Sequence, residues 1–265
     1  MRMLTRRRLA PAVILPALLL ASTGCDIVTA DLKQSATEEW RKTYELEPGG
    51  RVEIINVNGA INVEASTGNT VEVVAKKTAR GSSPEVAKQA LERVQIAEDV
   101  GPASVRVETK VERGGGWFSS GANVEYTVRV PAGAQMKFST VNGGVELRNI
   151  SGEISAETTN GGITAREVAG SIDASTTNGG ISVDLTQLGE RGAKLECTNG
   201  GIKLRLPSDA KASISASVAN GGIDTTGLQL DTTSSSRRRL EARLNGGGPP
   251  ISIEGVNGGI EIGAR

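Results

Sequence analysis

Asn142-Gly143-Gly144-Val145 is the stretch whose reading decides the fold, because the chain keeps returning to it. Asn-Gly-Gly-Ile recurs at Asn160-Gly161, Asn178-Gly179, Asn199-Gly200 and Asn220-Gly221, and once more at Asn257-Gly258. The intervals from 142 to 220 are 18, 18, 21 and 21 residues. Two imperfect copies, Asn58-Gly59-Ala60-Ile61 and Asn245-Gly246-Gly247-Gly248, complete the series. A fixed period near 20 residues is what a stacked repeat leaves in a sequence.

The flanks of each copy carry the secondary structure. Six and four residues before the Asn stand Met136 and Phe138, Ile154 and Ala156, Ile172 and Ala174. Three and five after it stand Val145 and Leu147, Ile163 and Ala165, Ile181 and Val183. Polar Glu146, Ser155, Thr164 and Asp173 fall between them. Alternation with a period of two on both sides of a turn is the pattern of half-buried strands. Asn and Gly tolerate a positive φ that costs other residues about 1–2 kcal/mol, so the turn is expected to rest on left-handed backbone at positions such as Gly161.

A meander of hairpins and a β-solenoid both put turns between strands. Weaker glycine turns at Ser151-Gly152-Glu153-Ile154 and Gly170-Ser171-Ile172, between consecutive Asn copies, favour the solenoid. The expected fold is therefore all-β, with rungs of 18–21 residues and Asn-Gly-Gly corners. Regular rungs are expected over 136–262 within a domain spanning 48–265. Stacking would set Asn142, Asn160 and Asn178 in a ladder about 4.8 Å apart, with amides bonding up and down. Before the array, Ser82-Ser83-Pro84-Glu85 is a helix start. Val86, Ala90, Leu91, Val94 and Ala97 then share a helical face, so an amphipathic helix is expected over 84–98, as an insertion at 82–99 covering an end of the sheet. Leu240, Ala242 and Leu244 slip by one against the array, which calls for a bulge or a different pairing there.

The N-terminus reads as an export signal. Arg2, Arg6, Arg7 and Arg8 precede the apolar run Leu9–Ala21, which is shorter than the roughly 20 residues a spanning helix needs. Residues 1–24 are thus expected to be a signal peptide. Ala21-Ser22-Thr23-Gly24-Cys25 resembles a bacterial lipobox, which implies cleavage before Cys25 and lipid attachment to its thiol; Ser22 stands where that pattern usually has Leu. Residues 25–47 read as a tether, and Asp26 resembles an inner-membrane retention signal. Removal of residues 1–24 leaves 26 basic against 30 acidic residues, with no surplus that would suit nucleic acid.

Catalytic chemistry is thinly supplied. The chain has no histidine, hence neither the commonest general base nor the commonest zinc ligand. Cys197 is the one cysteine besides Cys25; it aligns with Thr158 and Thr176 and reads as a small core residue. No cofactor and no metal site is expected. The acidic Glu146, Glu157, Asp173 and Asp184 fall on outward strand positions.

Val124–Val130 followed by Pro131, then Val141-Asn142-Gly143-Gly144-Val145 and its later copies, resemble the putative-adhesin family of bacterial β-solenoid proteins, a domain of unknown function. The resemblance covers roughly 50–262 and implies a shape and a binding role; no catalytic residues come with it. Three surfaces compete for that role. One is a solenoid face of Ser, Thr, Asn and Glu, which would read a repetitive polymer. The second is Trp117-Phe118, exposed as a contact or folded back as a plug. The third is Arg237-Arg238-Arg239, an anion reader or merely solvated charge. The chain is thus expected to be a lipoprotein of the cell envelope, held to a bacterial membrane through Cys25 and facing outside the cytoplasm. Its expected partners are an envelope protein or polysaccharide. An envelope-stress regulator, or a glycan-processing enzyme using carboxylates, are the alternatives.

Overall fold

Apolar residues at every second position force extended chain here, since only a strand presents them to one side. The computed structural model describes residues 34–112 and 122–265. β1 (Gln34–Glu45), β2 (Arg51–Ile55), β3 (Ile61–Ala65) and β4 (Thr70–Gly81) precede α1 (Pro84–Glu92). Next come β5 (Val94–Gly101), β6 (Ser104–Val111), β7 (Ala122–Val130), β8 (Ala134–Asn142), β9 (Val145–Arg148) and β10 (Ser151–Asn160). β11 (Ile163–Asn178) and β12 (Ile181–Asn199) are long, and the two parts of each pair with different neighbours. β13 (Ile202–Leu206), β14 (Ala212–Asn220), β15 (Ile223–Thr226), β16 (Leu230–Ser236), β17 (Arg239–Leu244), β18 (Pro250–Asn257) and β19 (Ile260–Ala264) end the series.

The strands form two ribbons of side-by-side neighbours. The first runs β5-β6-β2-β8-β10, then the second parts of β11 and β12, then β18-β14-β17-β16. The second runs β1-β4-β7-β3-β9, then the first parts of β11 and β12, then β13-β19-β15. Pairing is parallel through the middle and antiparallel only towards the ends, at β1–β4, β4–β7, β5–β6, β14–β17 and β16–β17. Alternate residues of both ribbons meet in one buried cluster, from Val52 and Ile61 through Phe138, Ile163 and Leu195 to Ile262. The fold is all-β and solenoid-like.

Sequence order and spatial order part company at both ends. The β2–β3 layer lies between β6–β7 and β8–β9. Likewise β18–β19 lies between β12–β13 and β14–β15. Identical registers make this workable: Asn257 aligns with Asn199 on one side and Asn220 on the other.

Three expectations need correction. Of the tether expected over 25–47, Gln34–Glu45 is a strand in register with β4 along its whole length. Its alternate residues explain why: Trp40 and Tyr44 pack on the core, and Glu38 pairs with the buried Lys77 ammonium at 2.7 Å. The helix stops at Glu92, not at residue 98. Ser83 caps it, accepting from the Val86 N–H at 3.3 Å, but Ala87 and Leu91 are its buried residues, while Val86 faces solvent. Beyond it, Val94 to Gly101 pairs with β6, whose ladder of main-chain bonds outweighs helix propensity. Finally, Asn245 belongs to no stack of turns. It adopts φ 50° and its amide donates to the Ser208 and Ala210 carbonyls. The slip ahead of it reflects antiparallel pairing of β17 with β14, Leu240 opposite Ala216 and Leu244 opposite Ala212.

Candidate binding surface

The Asn-Gly-Gly turns lie along one margin of the stack, where their side chains form a single hydrogen-bonded row. Asn142 Nδ2 donates to Asn58 Oδ1, Asn160 to Asn142, and Asn178 to Asn160, at 2.8–2.9 Å. Asn199 donates to Asn178, Asn257 to Asn199, and Asn220 to Asn257, at 2.8–2.9 Å. All run in one direction. Each interior Asn spends one amide hydrogen and one lone pair on the row, which leaves one of each for an outside partner. Beneath the row, Thr140, Thr158 and Thr176 hydroxyls donate to the Gly59, Gly143 and Gly161 carbonyls. Cys197 Sγ takes the same place against the Gly179 carbonyl at 3.1 Å. Burial pushes its thiol pKa up, which suits a core residue and disfavours the nucleophilic thiolate.

The glycines act through space more than through φ. A Cβ on Gly161 would overlap the Gly143 carbonyl oxygen, and one on Gly179 would overlap that of Gly161; Gly143, Gly200, Gly221 and Gly258 are crowded in the same way. Gly179, Gly200 and Gly258 also have positive φ, but Gly161 does not, so the left-handed backbone expected at Gly161 is replaced by close approach. None of the asparagines in the row adopts positive φ either. The second glycine of each turn is less constrained: a Cβ on Gly162 would sit 3.2 Å from the Gly180 oxygen, and one on Gly201 3.5 Å from that of Gly259. Ala60 occupies this position in the Asn58 copy.

Outward from the row the side chains that precede the asparagines are uncharged, and the Arg238 guanidinium sits on the Ala219 carbonyl at the Asn220 end. The residues before the asparagines are, in spatial order, Val57, Val141, Thr159, Thr177, Thr198, Val256 and Ala219. Val141 and Val256 are more than 40% exposed, at 43% and 44%. At about 4.8 Å per layer the margin is about 29 Å long. A groove of about 520 Å³ flanks it on the first ribbon, lined by Thr177, Thr198, Glu196 and Glu254 among others. Another of about 650 Å³ flanks it on the second, with Thr164, Ser182, Lys203 and Glu261 along its walls. Glu196 and Glu254 are register partners on neighbouring strands, and Lys194 holds Glu196 at 2.8 Å.

A third groove, about 440 Å³, crosses the first ribbon away from the row. Arg191 reaches over it to Glu153 at 2.8 Å, from the irregular stretch of β12 between Leu188 and Ala193, where its own N–H donates to Ser171 Oγ. Burial raises the pKa of Asp173 inside it, opposed by Lys194. Sequence reading passed over Arg191; the signal was the lengthening of the 178–199 interval by three residues over its predecessor. Among the described residues no cluster of three acidic or cysteine side chains suits a metal. Cys25, Trp117 and Phe118 lie outside the described residues.

Residues 133–263, the part that holds the turns from Asn142 to Asn257, match the Toastrack DUF4097 family. Among solved structures the chain is similar to a putative cell adhesion protein from Clostridium sporogenes, with 11% identity, 86% of this chain and 100% of that one covered, and a TM-score of 0.46. It is also similar to a putative adhesin from Bacteroides fragilis (9% identity, 86% and 97% covered, TM-score 0.30). A third is a putative lipid binding protein from Parabacteroides distasonis (7% identity, 87% and 96% covered, TM-score 0.26). No curated protein matches the sequence.

Proposed function

We propose that the chain is an exported lipoprotein of the bacterial envelope, held by lipidated Cys25, whose domain is a rigid adhesin-like binding module. In this reading 18–21-residue rungs turn at Asn-Gly-Gly corners and hold the row Asn58–Asn142–Asn160–Asn178–Asn199–Asn257–Asn220 in fixed spacing. That row is the observation that carries the reading. It gives a periodic margin, uncharged up to the Arg238 contact at its Asn220 end, with unused amide donors and acceptors, on a chain where acidic and basic residues together number 60. Such a surface suits a repetitive envelope polymer or an envelope protein, and needs no nucleic acid and no cofactor. The enzyme alternative has one observation in its favour, the Glu196–Glu254 pair, but Lys194 already occupies Glu196. An envelope-stress role would use the same margin for a protein partner.

The test is retention on insoluble envelope material. The 26–265 chain is expected to sediment with isolated envelope polysaccharide or protein. Thr177→Glu with Thr198→Glu should weaken that retention while leaving thermal melting in place. Undiminished retention of the double variant would remove the margin from this role.

A further inference from the structure

The two ends of the stack are finished differently. At one end α1 lies against β4 and β1, and the Tyr44 hydroxyl donates to Glu98 at 2.6 Å, tying the outermost strands of the two ribbons together. Those strands are charged: Glu38, Glu39, Arg41, Lys42 and Glu45 on β1, Glu98 and Asp99 on β5. At the other end no helix is found among the described residues, and the outermost strands are β15 and β16. After Asp231, β16 reads Thr232-Thr233-Ser234-Ser235-Ser236, uncharged and exposed throughout. No described residue pairs with its outer side.

A polar final strand is what a repeat stack needs as a cap, and that accounts for Thr232 and Ser235 standing opposite Ala242 and Leu240. Asp231 and a bulge blunt the first half of the outer edge, but the remainder carries neither charge nor proline, two of the devices that ordinarily protect a free edge. The bulge between Thr232 and Ser234 bends the edge and leaves Ser234–Ser236 as its regular run. Arg237 follows directly. Arg238 is occupied by the Ala219 carbonyl and Arg239 by Glu241, whereas the Arg237 side chain has no carboxylate partner among the described residues.

We propose that the Ser234–Ser236 edge accepts an added strand, and that the partner is an extended polypeptide segment of another protein with an acidic residue at the end that meets Arg237. Main-chain bonds to β16 supply the affinity, and the carboxylate–guanidinium pair fixes direction and register. This surface lies at the end of the stack, next to the last turn of the Asn margin, where the Arg237 carbonyl accepts from the Ile223 N–H at 3.0 Å.

A fluorescent synthetic peptide alternating Thr with Glu, titrated against the full exported chain, tests it. Saturable binding is expected, weakened about tenfold or more by Arg237→Glu. It should vanish for the same peptide methylated at alternate main-chain nitrogens, and weaken when Lys replaces Glu. Absence of saturable binding overturns the proposal. So does equal binding by the methylated peptide, which removes strand pairing, or by Arg237→Glu protein of unchanged melting temperature, which removes the charge pair.

Discussion

At Gly161 a single methyl group is enough to disturb the stack, because the space for it is filled by the Gly143 carbonyl. Its neighbour Gly162 has 3.2 Å of clearance, and Ala60 shows that the equivalent position admits a methyl. Gly161→Ala is therefore expected to lower stability by about 1–3 kcal/mol, the range for overpacking, and Gly162→Ala by clearly less. Thermal melting of the two variants decides it, and equal losses would contradict the close-approach argument. The tyrosines supply a second prediction. Burial pushes the Tyr126 phenol up to about 12, offset slightly by its bond with Thr109, and burial with the Glu98 carboxylate pushes Tyr44 up as well. Folding then holds both protons more tightly than the unfolded chain does. The contribution is present below pH about 10, where the unfolded phenol titrates, and is lost as pH rises towards the folded values. Phenolate absorbance of the native protein should stay flat past pH 10 and rise only with unfolding; ordinary titration near 10 would show the hydroxyls to be accessible.

At the scale of elements the instructive cases are β1 and β5. Both were hidden by patterns that fit something else: β1 by its charged residues, β5 by a helical spacing that continues from Leu91 to Val94. Each owes its strand to a partner distant in sequence, β4 or β6, and a partner's open edge leaves no mark on the strand that will fill it. The Asn-Gly-Gly series, by contrast, was legible because each copy repeats its own environment. Its margin was legible as geometry and not as function, since Asn, Gly and Thr there already have structural tasks. Removing residues 34–45 should expose the β4 edge and strand Lys77 without Glu38. The shortened chain is expected to self-associate, seen as a larger mass by light scattering; a stable monomer would show that β4 does not need cover.

For the molecule as a whole, the tucked-in terminal layers set the cooperativity. In a sequential stack, trimming the end removes one layer and leaves the rest. Here β18 and β19 separate β12 and β13 from β14 and β15, so their loss breaks both ribbons inside their ends and leaves β14 and β15 without their parallel neighbours. A chain ending at Gly248 is expected to lose amide protection in β12 through β17 together. Hydrogen exchange that spared β14 while exposing only its flank would argue for independent layers. This order could not be read from spacing, because Asn257 matches Asn199 and Asn220 equally well and the sequence states no preference between the end of the stack and a place inside it.

The same arrangement bears on how such a domain can change length over generations. The last layer, β18–β19, is enclosed, and β1 lies antiparallel on β4 at the outside, so a copy added beyond either finds no parallel layer to extend. From Asn142 to Asn199, however, successive turns are also spatial neighbours. Duplication or loss of one unit there preserves every pairing on either side. Lineages of this domain should therefore differ by whole units inserted at the centre, with the enclosing ends kept as a fixed frame.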